Sequence, residues 1–260
     1  ASELPPVPAD PRRQAAASAP LEQRSSLLQL VATLPVTGEV SPRPCTFEEL
    51  GAEDGLVVYE ADVSFPADAT LTIDGLHDRA VVFLDAQALG VLERDGETSL
   101  ALPVDGGAGR LTLVVESLGR INYGPYTGEG KGIMRGVMIG RRLVNGWTHR
   151  LVPQEAPTAA PGLDRSAEAS GGVAVASFDI AEPLDAWLAF PGGSKGMVWL
   201  NGFLLGRYWK VGPQETLYAP APLWKIGRNE LVVLDTDGLG ATVEIRDEPS
   251  FGETEEFIGS

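Results

Sequence analysis

The sequence predicts an all-β protein of two tandem jelly-roll or β-sandwich domains, and three observations predict it. First, β-branched and apolar residues fall in short runs separated by turn residues, among 31 glycines and 20 prolines. That punctuation suits strands rather than helices. Second, one hairpin block occurs twice. Val81-Val82-Phe83-Leu84-Asp85-Ala86-Gln87-Ala88-Leu89-Gly90 matches Met197-Val198-Trp199-Leu200-Asn201-Gly202-Phe203-Leu204-Leu205-Gly206 in residue type along its length. Third, the flanking blocks repeat in the same order. Gly109–Val115 mirrors Gly227–Val233, with Leu100–Pro103 and Leu217–Pro220 lying between. A repeat this long is not a solenoid unit; it reads as two related domains, and 260 residues leave room for both.

Taken in order, residues 1–37 read as linker with one short helix or strand. Leu4-Pro5-Pro6-Val7-Pro8 is polyproline-like chain. Within Leu21–Leu34, the apolar positions Leu27, Leu28, Leu30, Val31 and Leu34 give helical spacing, with a strand over Leu28–Ala32 as the competing reading. Residues 38–150 form the first β domain, with strands at 55–63, 71–73, 80–84, 100–102, 111–116, 133–139 and 142–147. His77-Asp78-Arg79 makes a tight polar bend, locked by a contact of Asp78 with Arg79 or of His77. Residues 151–171 are rich in Pro, Ala and charge and mark a boundary. The second domain covers 172–246, with strands at 173–180, 184–190, 197–200, 203–205, 216–219, 231–234 and 241–245. Residues 247–260 are an acidic tail.

The formal charge of −16 argues against nucleic acid and anionic membrane surfaces, which need a basic footprint. Cys45 is the only cysteine, and His77 and His149 lie far apart, so neither a disulfide within the chain nor a thiolate or histidine metal centre is expected. Nothing points to a cofactor. The N-terminus lacks a signal-peptide pattern, so a cytoplasmic location is favoured and a secreted one stays open. The acidic pairs Glu48-Glu49, Glu53-Asp54 and Asp235-Asp237 read as solvated surface charge. His149, after Trp147 at a strand end, reads as packing at a domain boundary.

The richest stretch is 195–218. Asn201-Gly202 supplies residues that tolerate positive φ in a two-residue turn, and Arg207, Tyr208 and Trp209 follow the returning strand. Trp199, Tyr208 and Trp209 could stack on a sugar through its apolar face, and Arg207 could grip a carboxylate or a ring. Packing against core or a neighbouring domain is the favoured reading for all of them. A Gly-rich loop opens with Arg120-Ile121-Asn122-Tyr123-Gly124 after a strong strand and is the other candidate, because loops carry function more often than cores.

Several stretches together resemble the C-terminal half of the β-galactosidases of glycoside hydrolase family 35. They are Phe47–Gly51, Gly75–Ala80, Gly90–Arg94, Val115–Gly124, Lys131–Ile133, Lys195–Gly202, Gly206-Arg207-Tyr208-Trp209 and Gly212-Pro213-Gln214-Glu215-Thr216-Leu217-Tyr218, in that order. The resemblance implies galactose-binding-like β domains following a TIM barrel that this chain does not contain. In that family the barrel holds both catalytic carboxyl groups, so no residue here is expected to be catalytic. The resemblance also implies a substrate-side role for Tyr123, with Asn122 and Arg120 beside it. The implied function is a non-catalytic portion of an enzyme that hydrolyses terminal β-galactosides, its partners the barrel of the same enzyme and the galactoside, and a homo-oligomer is compatible with it. A free-standing galactoside-binding module is the alternative, and an enzyme with its own catalytic residues a third and weaker reading.

Overall fold

The computed structural model describes residues 11–157 and 171–252. The linker expected at 1–10 and 158–170 and the tail from 253 lie outside the described residues. The chain divides into two compact units. One is Leu28–Gln154; the other joins the chain before it to the chain after it.

The short helix expected within Leu21–Leu34 is present, and part of the chain expected as linker before it pairs into strands. Ala17–Pro20 forms β1 and Glu22–Ser26 forms β2, followed by the helix α1, Leu27–Thr33. The helix buries Leu27, Leu30, Val31 and, just past its end, Leu34, the faces its spacing predicts. Both strands are short, mostly exposed edge strands. β1 pairs with residues 242–245, and β2 with residues 172–175, so the first strands of the chain belong to the second unit.

The first unit then runs β3 (Thr37–Ser41), β4 (Leu56–Phe65), β5 (Thr70–His77), β6 (Arg79–Leu84), β7 (Gln87–Glu93), β8 (Ser99–Ala101), β9 (Gly107–Glu116), β10 (Gly132–Ile139), β11 (Arg142–Leu143) and β12 (Trp147–Leu151). The single strand expected over 142–147 is therefore two, because the chain turns through Val144–Gly146. A six-stranded sheet, β3-β12-β4-β9-β6-β7, faces a four-stranded sheet, β11-β10-β5-β8. Alternate residues point inward: Val57, Tyr59, Ala61 and Val63 from β4, and Leu111, Leu113 and Val115 from β9. They pack on Leu71 and Ile73 of β5 and Ile133, Val137 and Ile139 of β10. His149, expected at a boundary, is 1% exposed in β12. Its Nε2 accepts the Cys45 N–H at 3.0 Å, and its ring meets Tyr59 edge-on at 5.2 Å. Burial holds its pKa below the ordinary histidine value, against the pull of Glu49.

The second unit adds β13 (Gly172–Ile180), β14 (Ala186–Ala189), β15 (Lys195–Leu200), β16 (Phe203–Trp209), β17 (Thr216–Ala219), β18 (Gly227–Asp235) and β19 (Thr242–Arg246). Its sheets are β16-β15-β18-β13-β2 and β1-β19-β14-β17, around Ala176, Phe178, Leu188, Val198, Leu200, Leu231, Val233, Val243 and Ile245. All named strand pairs in both units are antiparallel.

The repeated blocks fold alike. In β6–β7, Val82 pairs with Gly90 and Phe83 with Ala88, across a bulge; in β15–β16, Val198 pairs with Gly206 and Trp199 with Leu204, across a bulge at the same place. The turns enter through Asp85 at φ 50° and Asn201 at φ 51°. Each side chain then accepts a backbone N–H from the next strand of its sheet, Arg110 at 2.8 Å and Glu230 at 3.1 Å. Short polar side chains tolerate this left-handed conformation, and the extra bond fixes the hairpin on its neighbour.

Candidate functional site

The chain leaves β9 after Glu116 and re-enters the sheets at Gly132, making the loop 117–131. Its tip is exposed: Tyr123 is 89% accessible and Tyr126 61%, and Asn122 is exposed with them. An isolated tip of this kind would be mobile, but its two ends are pinned to the same two carboxylates.

Asp78, 6% exposed at the β5–β6 corner, is the inner one. Its Oδ2 accepts the Leu118 N–H at 2.8 Å, at the start of the loop. The Lys131 ammonium, at the loop's end and 1% exposed, donates to Oδ1 at 3.0 Å and Oδ2 at 2.9 Å. Arg94 reaches Oδ1 at 3.4 Å. Glu48 is the outer carboxylate: it accepts from the Arg120 guanidinium at the start and from the Lys131 N–H, at 3.1 Å, at the end. Burial raises the Glu48 pKa, but backbone N–H donors and Arg120 outweigh it and hold it below the usual carboxylate value.

Further contacts fix the path between. Arg94 makes a two-pronged ion pair with Glu129, which keeps that carboxyl ionised below its usual range, and lies over the Tyr126 ring at 5.5 Å. His77 Nδ1 donates to the Gly130 carbonyl at 2.8 Å. Arg120 Nε and NH2 donate to the Glu53 carbonyl at 3.3 and 3.0 Å. Gly132, at φ +101°, closes the loop where an added Cβ would sit 2.5 Å from the Tyr59 hydroxyl, so only glycine fits. Of the three loop residues singled out in the sequence, Arg120 is thus engaged within its own unit, whereas Tyr123 and Asn122 face solvent. Lys131, Arg94 and Glu129 were missed as partners. No local spacing marks them, since the clamp assembles from residues 48, 78, 94, 118–120 and 129–131.

The 195–218 candidates separate. Trp199 is 0% exposed, on the opposite side of its strand from the inward Val198 and Leu200. Tyr208 is buried, stacked on Phe190 at 4.4 Å, and donates to Asp235 Oδ2 at 2.5 Å. Trp209 is half-buried, with the Lys195 ammonium 4.6 Å from its ring centroid; Arg207 is half-buried beside it in sequence. Tyr208 and Trp209 meet at a cavity of about 260 Å³, also lined by Phe190, Lys210, Glu215 and Arg246. Trp199 is not among its walls.

Asp235, expected as surface charge, is 0% exposed. It is tolerated there because its oxygens accept the N–H groups of Ser194, Lys195, Asp237 and Gly238 at 2.6–3.2 Å besides the Tyr208 hydroxyl. Burial pushes its pKa up, against those donors, and the Tyr208 phenol is pushed up as well by burial and the facing carboxylate. Among the described residues, no three His, Cys, Asp or Glu side chains stand together to hold a metal ion.

Residues 44–153 match the family described as "Beta-galactosidase, first all-beta domain", and residues 174–229 that described as "Beta-galactosidase, galactose-binding domain". The chain is 32% identical to Beta-galactosidase 17 of Arabidopsis thaliana over 96% of its own length and 41% of the relative's. It is 29% identical to Beta-galactosidase 1 of Dictyostelium discoideum over 90% and 39%, and 32% identical to the β-galactosidase of Homo sapiens over 75% and 32%. The chain therefore spans about two fifths or less of the length of these relatives.

Proposed function

This chain belongs to the β-domain region of the β-galactosidases, and from that premise we propose that it is the non-catalytic β portion of an enzyme hydrolysing terminal β-galactosides. In this reading a catalytic domain of the same enzyme supplies the nucleophile and the general acid. Retaining hydrolysis needs two carboxyl groups about 5–5.5 Å apart across the glycosidic bond. The β units brace that domain, and the loop 117–131 forms one rim of its pocket.

The observation that carries the proposal is the clamped loop, which holds Tyr123 out from the sheets, 89% exposed, on ends pinned by Asp78 and Glu48. A phenol presented this way can exchange hydrogen bonds with a sugar hydroxyl without paying to order its loop at each encounter. Asn122 lies beside it as a second polar contact, and Arg120 holds the loop base. In the enzyme assembled with its catalytic domain, Tyr123→Phe should lower kcat/KM about tenfold, the worth of one hydrogen bond of about 1.4 kcal/mol, with unchanged melting. Unaltered kinetics would remove Tyr123 from the rim. Turnover of a chromogenic galactoside by the pure 260-residue chain would overturn the non-catalytic assignment.

The cavity of about 260 Å³ beside Trp209 favours one second reading, a galactoside-binding module. Its aromatic wall and the polar groups of Lys210, Glu215 and Arg246 suit a monosaccharide-sized ligand. Calorimetric titration with galactose and lactose separates the two readings: millimolar or tighter binding, lost in Trp209→Ala, supports the module.

A further inference from the structure

We infer that Asp78 and Lys131 are positioning residues that set the place of the Tyr123 loop, an inference that rests on the reading of Tyr123 given above. The geometry is that of a drawstring. One carboxylate, Asp78, receives the backbone N–H of Leu118 where the loop begins and the ammonium of Lys131 where it ends. Between these two ties side chains from elsewhere in the unit fix the path, and His77 Nδ1 donates to the Gly130 carbonyl at 2.8 Å. Arg120 reaches Glu48 and Glu53, and Glu129 and Tyr126 both meet Arg94.

The placement of charge separates a positioning device from ordinary packing. Lys131 is 1% exposed and Asp78 6%, and the Lys131 ammonium also lies 3.3 Å from Glu129. Buried ion pairs of this kind contribute little net stability compared with an apolar replacement, and this one joins the end of the loop to the same carboxylate that holds its beginning. Asp78 is anchored independently of the loop. Its N–H donates to the Glu116 carbonyl at 3.0 Å, and its carbonyl accepts the Arg94 N–H at 2.8 Å, so the carboxylate is a fixed post on the end of the six-stranded sheet. The aromatic tip stands on that post, and neither Asp78 nor Lys131 reaches solvent to touch a ligand itself.

The test uses hydrogen exchange of the 260-residue chain with Lys131→Met and Asp78→Asn. The amides of Leu118, Glu129 and Lys131 should exchange at least tenfold faster, while those of β4 and β9 keep their protection. Where either variant no longer melts cooperatively, Glu129→Gln, which removes only the outer part of the cluster, should give a smaller effect in the same direction. Unchanged exchange at the three amides in the folded variants overturns the inference. In the enzyme assembled with its catalytic domain, Lys131→Met should shift KM and kcat in the same proportion as Tyr123→Phe and add little on the Tyr123→Phe background. Faster exchange with wild-type kinetics would leave the loop anchors standing and discard the substrate-side role of Tyr123.

Discussion

The two units share the order of their central strands, β4-β9-β6-β7 in one and β13-β18-β15-β16 in the other, a bulged hairpin and an αL turn, yet they differ at the connection that follows β9 and β18. In the first unit β9 leads into the loop 117–131; in the second, β18 leads to β19 through 236–241 only. Both connections are tied to a buried carboxylate, but by different chemistry. Asp78 faces an ammonium, a guanidinium and one N–H, and its loop is long, aromatic and exposed. Asp235 faces four N–H groups and a phenol, and two of those N–H groups belong to the short connection itself. Neutral donors close a compact corner, whereas long cationic side chains can reach across and hold a loop away from the sheet. The comparison separates the scaffold, common to both units, from the device added to one of them.

The strongest way to break this comparison is to remove the neutral anchor. Asp235→Ala should destabilise the second unit by about 3 kcal/mol or more, because several buried donors lose their acceptor together. Its melting or exchange protection should fall while that of the first unit stays; a uniform change in both would contradict the separation. Tyr208→Phe takes away one donor from the same carboxylate and should cost about 2 kcal/mol, again confined to the second unit by exchange protection. The hairpin turns sharpen the likeness. Asp85→Ala and Asn201→Ala each place a Cβ-bearing residue without a polar side chain at φ near 50°, for about 1–2 kcal/mol in denaturant melts. Asn201→Ala should be the costlier by about 1 kcal/mol, since its amide also donates to the Leu223 carbonyl and to Asn229. Equal costs would show those added bonds to be idle.

The smallest effect is that of pH, and it has opposite signs in the two units. Glu48 and Glu129 titrate below their usual value, and Glu49, paired with Arg43 and the Thr46 N–H, is held down to about 2. Their contribution to the first unit is present above the unfolded value of 4.5 and fades as pH falls through the lowered ones. Asp235 titrates above its usual value, so its term is fully present below 3.8 and is lost as pH rises through the raised one. Between pH 6 and pH 3 the first unit should weaken relative to the second, by modest amounts because Glu48 and Glu49 are partly exposed and screened. Protection factors measured for each unit at the two pH values check the sign.

Much of this architecture is legible in the residues, and the exceptions have physical reasons. Strands with a period of two and a buried face, such as Val57–Val63 and Leu111–Val115, announce themselves, as do the Asp85 and Asn201 turns. β1 and β2 do not: Ala17–Pro20 and Glu22–Ser26 are mostly exposed, and what makes them strands is pairing with residues more than a hundred positions away. Asp235 looks like one more acid near Asp237, because the N–H groups that shelter it are backbone and have no sequence signature. Tyr123 and Asn122 stand out as a loop pattern, and Trp209 as an aromatic one. The clamp beneath the first and the cavity beside the second arise from separations that only the folded chain closes.

The early strands have a consequence for how the protein is made. At the ribosome Ala17 emerges more than two hundred residues ahead of its partner Ile245. At ordinary rates of synthesis the wait is on the order of ten seconds or more. During that time the first unit can finish folding, while β1 and β2 of the second are still unpaired and open to wrong strands. β1 offers only alanine, serine and proline and β2 carries Glu22 and Arg24, and these small or charged residues, which give little strand signal, also limit wrong pairing while the segments wait.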